Sequence, residues 1–299
     1  MRLELVLWLV AGLMVLIGGG LCLAVSLRAA GQGGVQERER ELTDRGPAVC
    51  AYLGLATLVG GLAWQGWVKR AWPGATAGEA LLLVAGAALL LGTWVSHAGG
   101  APHAAGGPRF AGAAGLKAAG DTEGAVGASG RLAYGGGLLA TGVLILGATG
   151  LAWIVAPPAA PQAHTWLFGL RSGLASLGLG GWLFVFAGNL AALWQGRVNA
   201  TVSEAAPGTA HAVLRAGYPW LTAALLAGGS WQMAAYAVPW RGVPADLWLV
   251  VAWLLGGAYL MLGSARWAKR LGAWPPAVLS FAGLAAALLA AGQAGSLFW

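Results

Sequence analysis

Long apolar runs follow one another along this chain, with few charges inside them. Eight stand out, at 5–27, 48–67, 77–95, 132–156, 165–194, 216–238, 247–262 and 277–298. Their lengths bracket the roughly 17–25 residues that a helix needs to cross a bilayer. In lipid every backbone N–H and C=O must be satisfied internally, which leaves helices or closed barrels. The runs are continuous and lack period-2 alternation, so they read as helices. The pattern predicts an all-α integral membrane protein, with about eight transmembrane helices in one bundle. The first run has no small-residue cleavage pattern followed by a soluble domain, so it reads as a retained span.

The polar segments are short and contain no second domain. Residues 28–47 include the mixed-charge run QERERELTDR, a solvated helix or loop. Segment 99–131 is rich in Gly and Ala and poor in large apolar residues, and is expected to be a flexible cytoplasmic loop. Residues 1–299 therefore read as one polytopic membrane domain. The glycines at 18–20 suit close helix packing.

Composition agrees with a membrane reading. The chain is 58% hydrophobic and 9% charged, against about a quarter charged in soluble domains. A net charge of +7 invites a nucleic-acid partner, but the charges divide by membrane side. Of 17 Lys and Arg, twelve follow the first, third, fifth and seventh runs, four lie on the other side, and Arg171 lies inside a run. The positive-inside rule puts both termini outside the cytoplasm, in a multi-pass protein of the cell (inner or cytoplasmic) membrane. Membrane lipid, and no nucleic acid, is the expected surrounding. Cys22 and Cys50 fall near cytoplasmic helix ends and read as small core hydrophobes. There is no Cys-x-x-Cys-His, so the chain is not itself a c-type cytochrome.

Candidate chemistry concentrates on the outer side. Many of the 17 tryptophans sit at run ends, as an interfacial aromatic belt does. Trp231, Trp240, Trp248 and Trp253 form a denser group around one outer loop, a platform for a flat apolar ligand. His164 follows a Pro-rich loop on the same side; it is either an interfacial imidazole or a ligand for haem iron. Arg171 lies nearly two turns further along, on the same helix face. A charge inside a span is a functional candidate. It could meet a haem propionate, pair with a carboxylate such as Glu79, or form a structural ion pair. Pro244 and Asp246 stand where the seventh helix starts, and Asp246 reads as a cap. His97 and His211 lie at cytoplasmic ends and could meet. Metal-protease, P-loop, dinucleotide and Ser-His-Asp signatures are absent.

The order of these features resembles the cytochrome c assembly family, the CcsA/ResC-type haem-handling proteins and their HemX-like relatives. That family carries Pro-x-x-Asn-x-Tyr-Glu before its third span; Pro73 through Glu79 keeps the Pro and the Glu. Its His-Val start of a long span looks like His164-Thr165. Its Gly-Phe-Pro-Leu-Leu-Thr, then Gly-x-x-Trp, resembles Gly217-Tyr218-Pro219-Trp220-Leu221-Thr222, then Gly228 and Trp231. Its WSWDPKETW loop looks like the stretch from Trp240 to Trp248, leading into Trp253 and Ala258-Tyr259-Leu260.

The resemblance implies haem b held at the outer face. His164 would be an axial ligand and Trp231, Trp240 and Trp248 the ring platform, with Arg171 against a propionate. It implies apocytochrome c and a membrane partner subunit, the chain being at most part of a cytochrome c haem-attachment synthase complex. The departures are concrete. Gly242 replaces the loop's middle Trp, Val243 its Asp, and Met261 the membrane histidine. The last outer histidine has no counterpart up to Trp299. Met261 reads as a soft sulfur donor or as core packing. These losses keep open a non-catalytic, HemX-like role in regulating haem biosynthesis.

Overall fold

Each apolar run becomes a helix. The structure is a computed structural model describing residues 3–31, 37–70, 72–100, 122–154, 165–198, 206–262 and 274–294. Among these are α1 (Leu3–Gly31), α2 (Glu37–Lys69), α3 (Ala77–Gly100), α4 (Thr122–Ile154), α5 (Trp166–Val198), α6 (Ala206–Tyr236), α7 (Pro244–Leu262) and α8 (Trp274–Gly292). No strand occurs among the described residues. Seven of the helices are long and apolar enough to cross a membrane. The exception is α6, whose Gly, Ser, Thr and Gln dilute its apolar content. The protein is a multi-pass α-helical membrane protein.

Several helices outrun the apolar stretches that announced them. The charged run is helical from Glu37 and continues through Pro47 into the span. Segment 99–131, expected to be a flexible loop, is helical at both ends: α3 reaches Gly100 and α4 starts at Thr122. No proline separates residue 108 from residue 157, so nothing stops Ala-rich backbone from propagating a helix outward from the span. Residues 101–121 lie outside the described part.

Two cores meet on α3. Leu82, Ala85 and Leu89 face the cluster of α1, α2 and α4, with Trp8, Val15, Leu58 and Leu138. Val84, Ala88 and Leu91 face the cluster of α5 to α8, with Trp182, Leu214, Leu249 and Ala287. Both sets run at three- and four-residue spacing on opposite sides of one helix. A helix apolar on both faces belongs in the interior.

Small residues let the helices touch. A Cβ on Gly180 of α5 would lie 2.5 Å from the Ala88 nitrogen and 2.8 Å from the Val84 oxygen of α3. Backbone there cannot give way, so Gly180 fixes the α3–α5 distance. Gly18 faces Cys50 and Pro47 of α2, and Gly19 faces Leu139 of α4; Gly20 meets nothing within 4 Å. Cys22 is buried against Gly135 of α4, and neither cysteine is bonded to another.

Candidate functional site

One end of the bundle gathers the α2–α3 turn, the start of α5 and the α6–α7 turn. Thr76 caps α3: its Oγ1 accepts the Glu79 N–H at 3.3 Å. Glu79 folds back, taking the Gly74 N–H at 3.2 Å and the Lys69 ammonium at 2.7 Å. This is a variant of the Ser/Thr-x-x-Glu capping box. Gly74 holds φ at 106°, where a side chain would be strained. Thr165 caps α5 in the same way, accepting the Phe168 N–H at 3.4 Å.

The α6–α7 turn is built on two left-handed residues, Ala237 (φ 57°) and Gly242 (φ 66°). Ala237 closes α6 by donating its N–H to the Met233 oxygen at 3.0 Å. Pro244 takes the first position of α7, where its missing N–H costs nothing. Asp246 stands in the first turn and is 2% exposed. Its Oδ1 accepts a hydrogen bond from the Arg171 guanidinium of α5, and its Oδ2 accepts one from the Gln232 amide of α6. One carboxylate thus joins three helices. Gln232 is buried too, and its Oε1 accepts the Arg241 N–H at 2.8 Å. The Arg241 guanidinium lies 4.1 Å above the Tyr236 ring, a cation–π distance.

The expected site residues divide. Trp240 and Trp248 are exposed, at 43% and 37%. Trp231 is not a free surface: it is 1% exposed and packs with Ala75, Phe168 and Ala245. Its indole N–H donates to the Thr165 hydroxyl at 3.1 Å, and the Arg171 guanidinium sits 5.8 Å from its ring. Arg171 itself is buried against Asp246, away from any propionate on the surface. Glu79, the carboxylate expected for it, goes to Lys69, and Asp246, read as a cap, takes the arginine instead. Burial explains the exchange, because an unpaired charge inside a span is costly. Asp246 therefore acts as more than a cap.

Met261 does not join this end. It is 76% exposed and stands fifteen residues along α7 from Asp246, about 22 Å at 1.5 Å per residue. It is neither core packing nor within reach of Trp248. Trp253 stacks on Tyr218 at 6.0 Å and donates to the Thr222 hydroxyl at 2.9 Å, further down the same α6–α7 seam. His164 lies outside the described residues, as do His103 and the His97 side chain. His211 approaches Tyr259 at 6.4 Å, at the other end of the bundle. There the Tyr259 hydroxyl accepts from the Asn189 amide at 2.8 Å.

Sequence reasoning passed over Gln232, Asn189, Thr76 and Lys69. Thr76 and Glu79 carry the capping-box spacing ahead of an apolar run, which was a readable signal. Gln232 and Asn189 are lone amides inside apolar runs, and a polar group in lipid needs a partner. Lys69 carried no signal in its spacing.

A cavity of about 40 Å³ lies behind the ion pair, lined by Gly74, Arg171, Ser172, Ser176 and small residues of α7 and α8. It has room for water beside polar groups, and is an order of magnitude below the roughly 300–1,000 Å³ of small-molecule sites. That cavity has no room for a large ring. No group of three or more His, Cys, Asp or Glu among the described residues could hold a metal ion.

Fold and site together define a multi-pass α-helical membrane protein with a charged tie under an indole-bearing turn. Parts of it are similar to proteins already known. Over 84 residues, 28% of this chain, it is 30% identical to the cytochrome c biogenesis protein CcsA of Thermosynechococcus vestitus, covering 25% of that protein. It is also 30% identical to CcsA of Nostoc punctiforme over 84 residues, 23% of that protein, and to CcsA of a Synechococcus over 67 residues, 18% of that protein. The matched stretches thus span a quarter or less of these curated relatives. No family model matches the chain, and no solved structure matches it.

Proposed function

We propose that this chain handles haem during cytochrome c biogenesis, at the outer face of a membrane. Support comes from the partial similarity to CcsA proteins and from the ordered motifs between Pro73 and Leu260. The observation that carries the reading is the Thr165–Trp231 hydrogen bond. It ties the residue next to His164 to the last turns of α6, just ahead of the turn that exposes Trp240.

In this reading a flat macrocycle is held from one side. Trp240 and Trp248 offer aromatic faces, and His164 is the proposed axial donor. Haem, when bound, supplies the vinyl groups to which apocytochrome thiols add; the protein's part is to hold and orient the ring. Trp231 and Arg171 act from behind, by packing and by fixing the turn. With one histidine donor, a partner subunit would complete the ligand set and receive apocytochrome c.

The test is spectroscopic. The chain, expressed with ample haem and purified in detergent, is expected to carry a Soret band that His164→Ala weakens. A colourless wild-type preparation sinks the proposal. One observation favours a second reading: Met261 stands where the family it resembles carries a membrane histidine. A HemX-like regulator would leave c-type cytochromes mature on deletion and change haem-precursor levels instead.

A further inference from the structure

We propose that Gln232 is a positioning residue that sets the posture of the Trp240 turn by taking its orientation from the charge on Asp246; the consequence for haem rests on the reading above. The turn folds back over the last turns of α6. The Pro239 carbonyl lies against Gly229, 3.3 Å from where a Cβ would stand. Arg241 covers the Tyr236 ring. Trp240 is thus flanked by two anchored residues while its own side chain stays exposed.

The Arg241 backbone is the only part of this turn that Gln232 holds among the described hydrogen bonds. A carboxylate accepts and does not donate, so Asp246 forces the Gln232 amide to turn its NH2 inward. That leaves Oε1 facing the Arg241 N–H. The chain runs from the Arg171 guanidinium through the Asp246 carboxylate and the Gln232 amide to the turn. Every member except Arg241 is buried, so reversing one link cannot be repaired by solvent. Sign matters here, and not only size.

That logic specifies an exchange. In the double variant Gln232→Glu/Asp246→Asn, Arg171 donates to the Asn carbonyl oxygen. The Asn NH2 donates to one Glu oxygen, and the Arg241 N–H donates to the other. All links are restored with the same net charge. Gln232→Glu alone sets two carboxylates against each other. Gln232→Leu removes the link.

The experiment uses nitroxide pairs in nanodiscs, in a background with Cys22 and Cys50 replaced by serine. Labels at Trp240→Cys and Trp166→Cys report the turn; labels at Leu226→Cys and Leu254→Cys, on exposed faces of α6 and α7, report the bundle. The turn distance is expected to be narrow in the parent, broad in Gln232→Leu and Gln232→Glu, and narrow again in the exchange. The bundle distance should stay constant. A narrow turn distance in Gln232→Leu overturns the proposal. If Gln232→Leu disturbs the bundle, the exchange decides: a broad turn distance there, with an intact bundle, overturns it equally.

Haem titration, with both tryptophans retained, separates this from the functional reading. Loss of preorganisation is expected to weaken haem binding by about tenfold in Gln232→Leu, and the exchange to recover it. A broadened turn with unchanged haem affinity supports the positioning role and removes the haem reading.

Discussion

Helices α5 and α7 run parallel and are tied twice, by different chemistry at each end. At one end Arg171 meets Asp246, with Gln232 as a third member. At the other, the Asn189 amide meets the Tyr259 hydroxyl. From Arg171 to Asn189 α5 rises about 27 Å, and from Asp246 to Tyr259 α7 rises about 20 Å. The ties therefore stand near opposite sides of a hydrocarbon layer about 30 Å thick. The neutral tie is embedded in close packing: Trp182 fills the space over Gly283, Tyr218 that over Gly256, and Trp182 meets Tyr259 edge-on at 6.2 Å. Packing already fixes that end. The charged tie lies under a turn whose Val238, Pro239 and Trp240 are exposed, and there direction comes from hydrogen bonds as well as packing. Buried charge is a poor source of net stability, so its value at this end lies in specifying the turn.

The comparison breaks most visibly at the charged end. Arg171→Met or Asp246→Leu alone leaves a buried charge without its partner. Each is expected to lower stability by about 3–5 kcal/mol. The double replacement Arg171→Met/Asp246→Leu should recover most of that loss, short of what Gln232 forfeits. Unfolding in mixed micelles, read as a double-mutant cycle, measures the coupling. Additive losses would mean that the two groups do not act as a pair.

At the neutral end the same operation should matter far less. Asn189→Leu removes the bond to the Val185 carbonyl within α5 and leaves the Tyr259 hydroxyl without that donor. Polar ties between membrane helices average about 0.6 kcal/mol and reach about 1.7 kcal/mol, so a loss near 1 kcal/mol is expected in the same assay. A loss matching that of Asp246→Leu would erase the distinction between the ends.

How much of this contrast could be read from sequence depends on the kind of residue. The helices were legible, because eight long apolar runs have few other solutions in lipid. Helix ends were not: the charged stretch from Glu37 extends α2 through water, where hydropathy carries no boundary. Trp240 is exposed from the turn and Trp248 from the second turn of α7. Trp231 misled, because an aromatic next to a turn looks the same whether its ring points outward or into a neighbouring helix. Its indole points at Thr165, a partner 66 positions away that no local pattern shows. Arg171 was recognisable as a charge needing compensation. Its partner Asp246 stands 75 positions away, a pairing that periodicity does not encode.

The smallest expected effect gives the sharpest control on which end carries the site. Met261 belongs to the neutral end of α7 and is 76% exposed. By sequence its sulfur reads as a soft donor. Geometry opposes that, since no flat ring seated on Trp248 spans the rise of about 20 Å along α7 to residue 261. Met261→Leu conserves volume at a surface site and is expected to change stability by no more than about 0.5 kcal/mol. It should also leave the Soret maximum and intensity where they were, while His164→Ala lowers the intensity. A spectrum that shifts with Met261→Leu and ignores His164→Ala would transfer the ring to the opposite end of the bundle. The charged tie would then have no site to support.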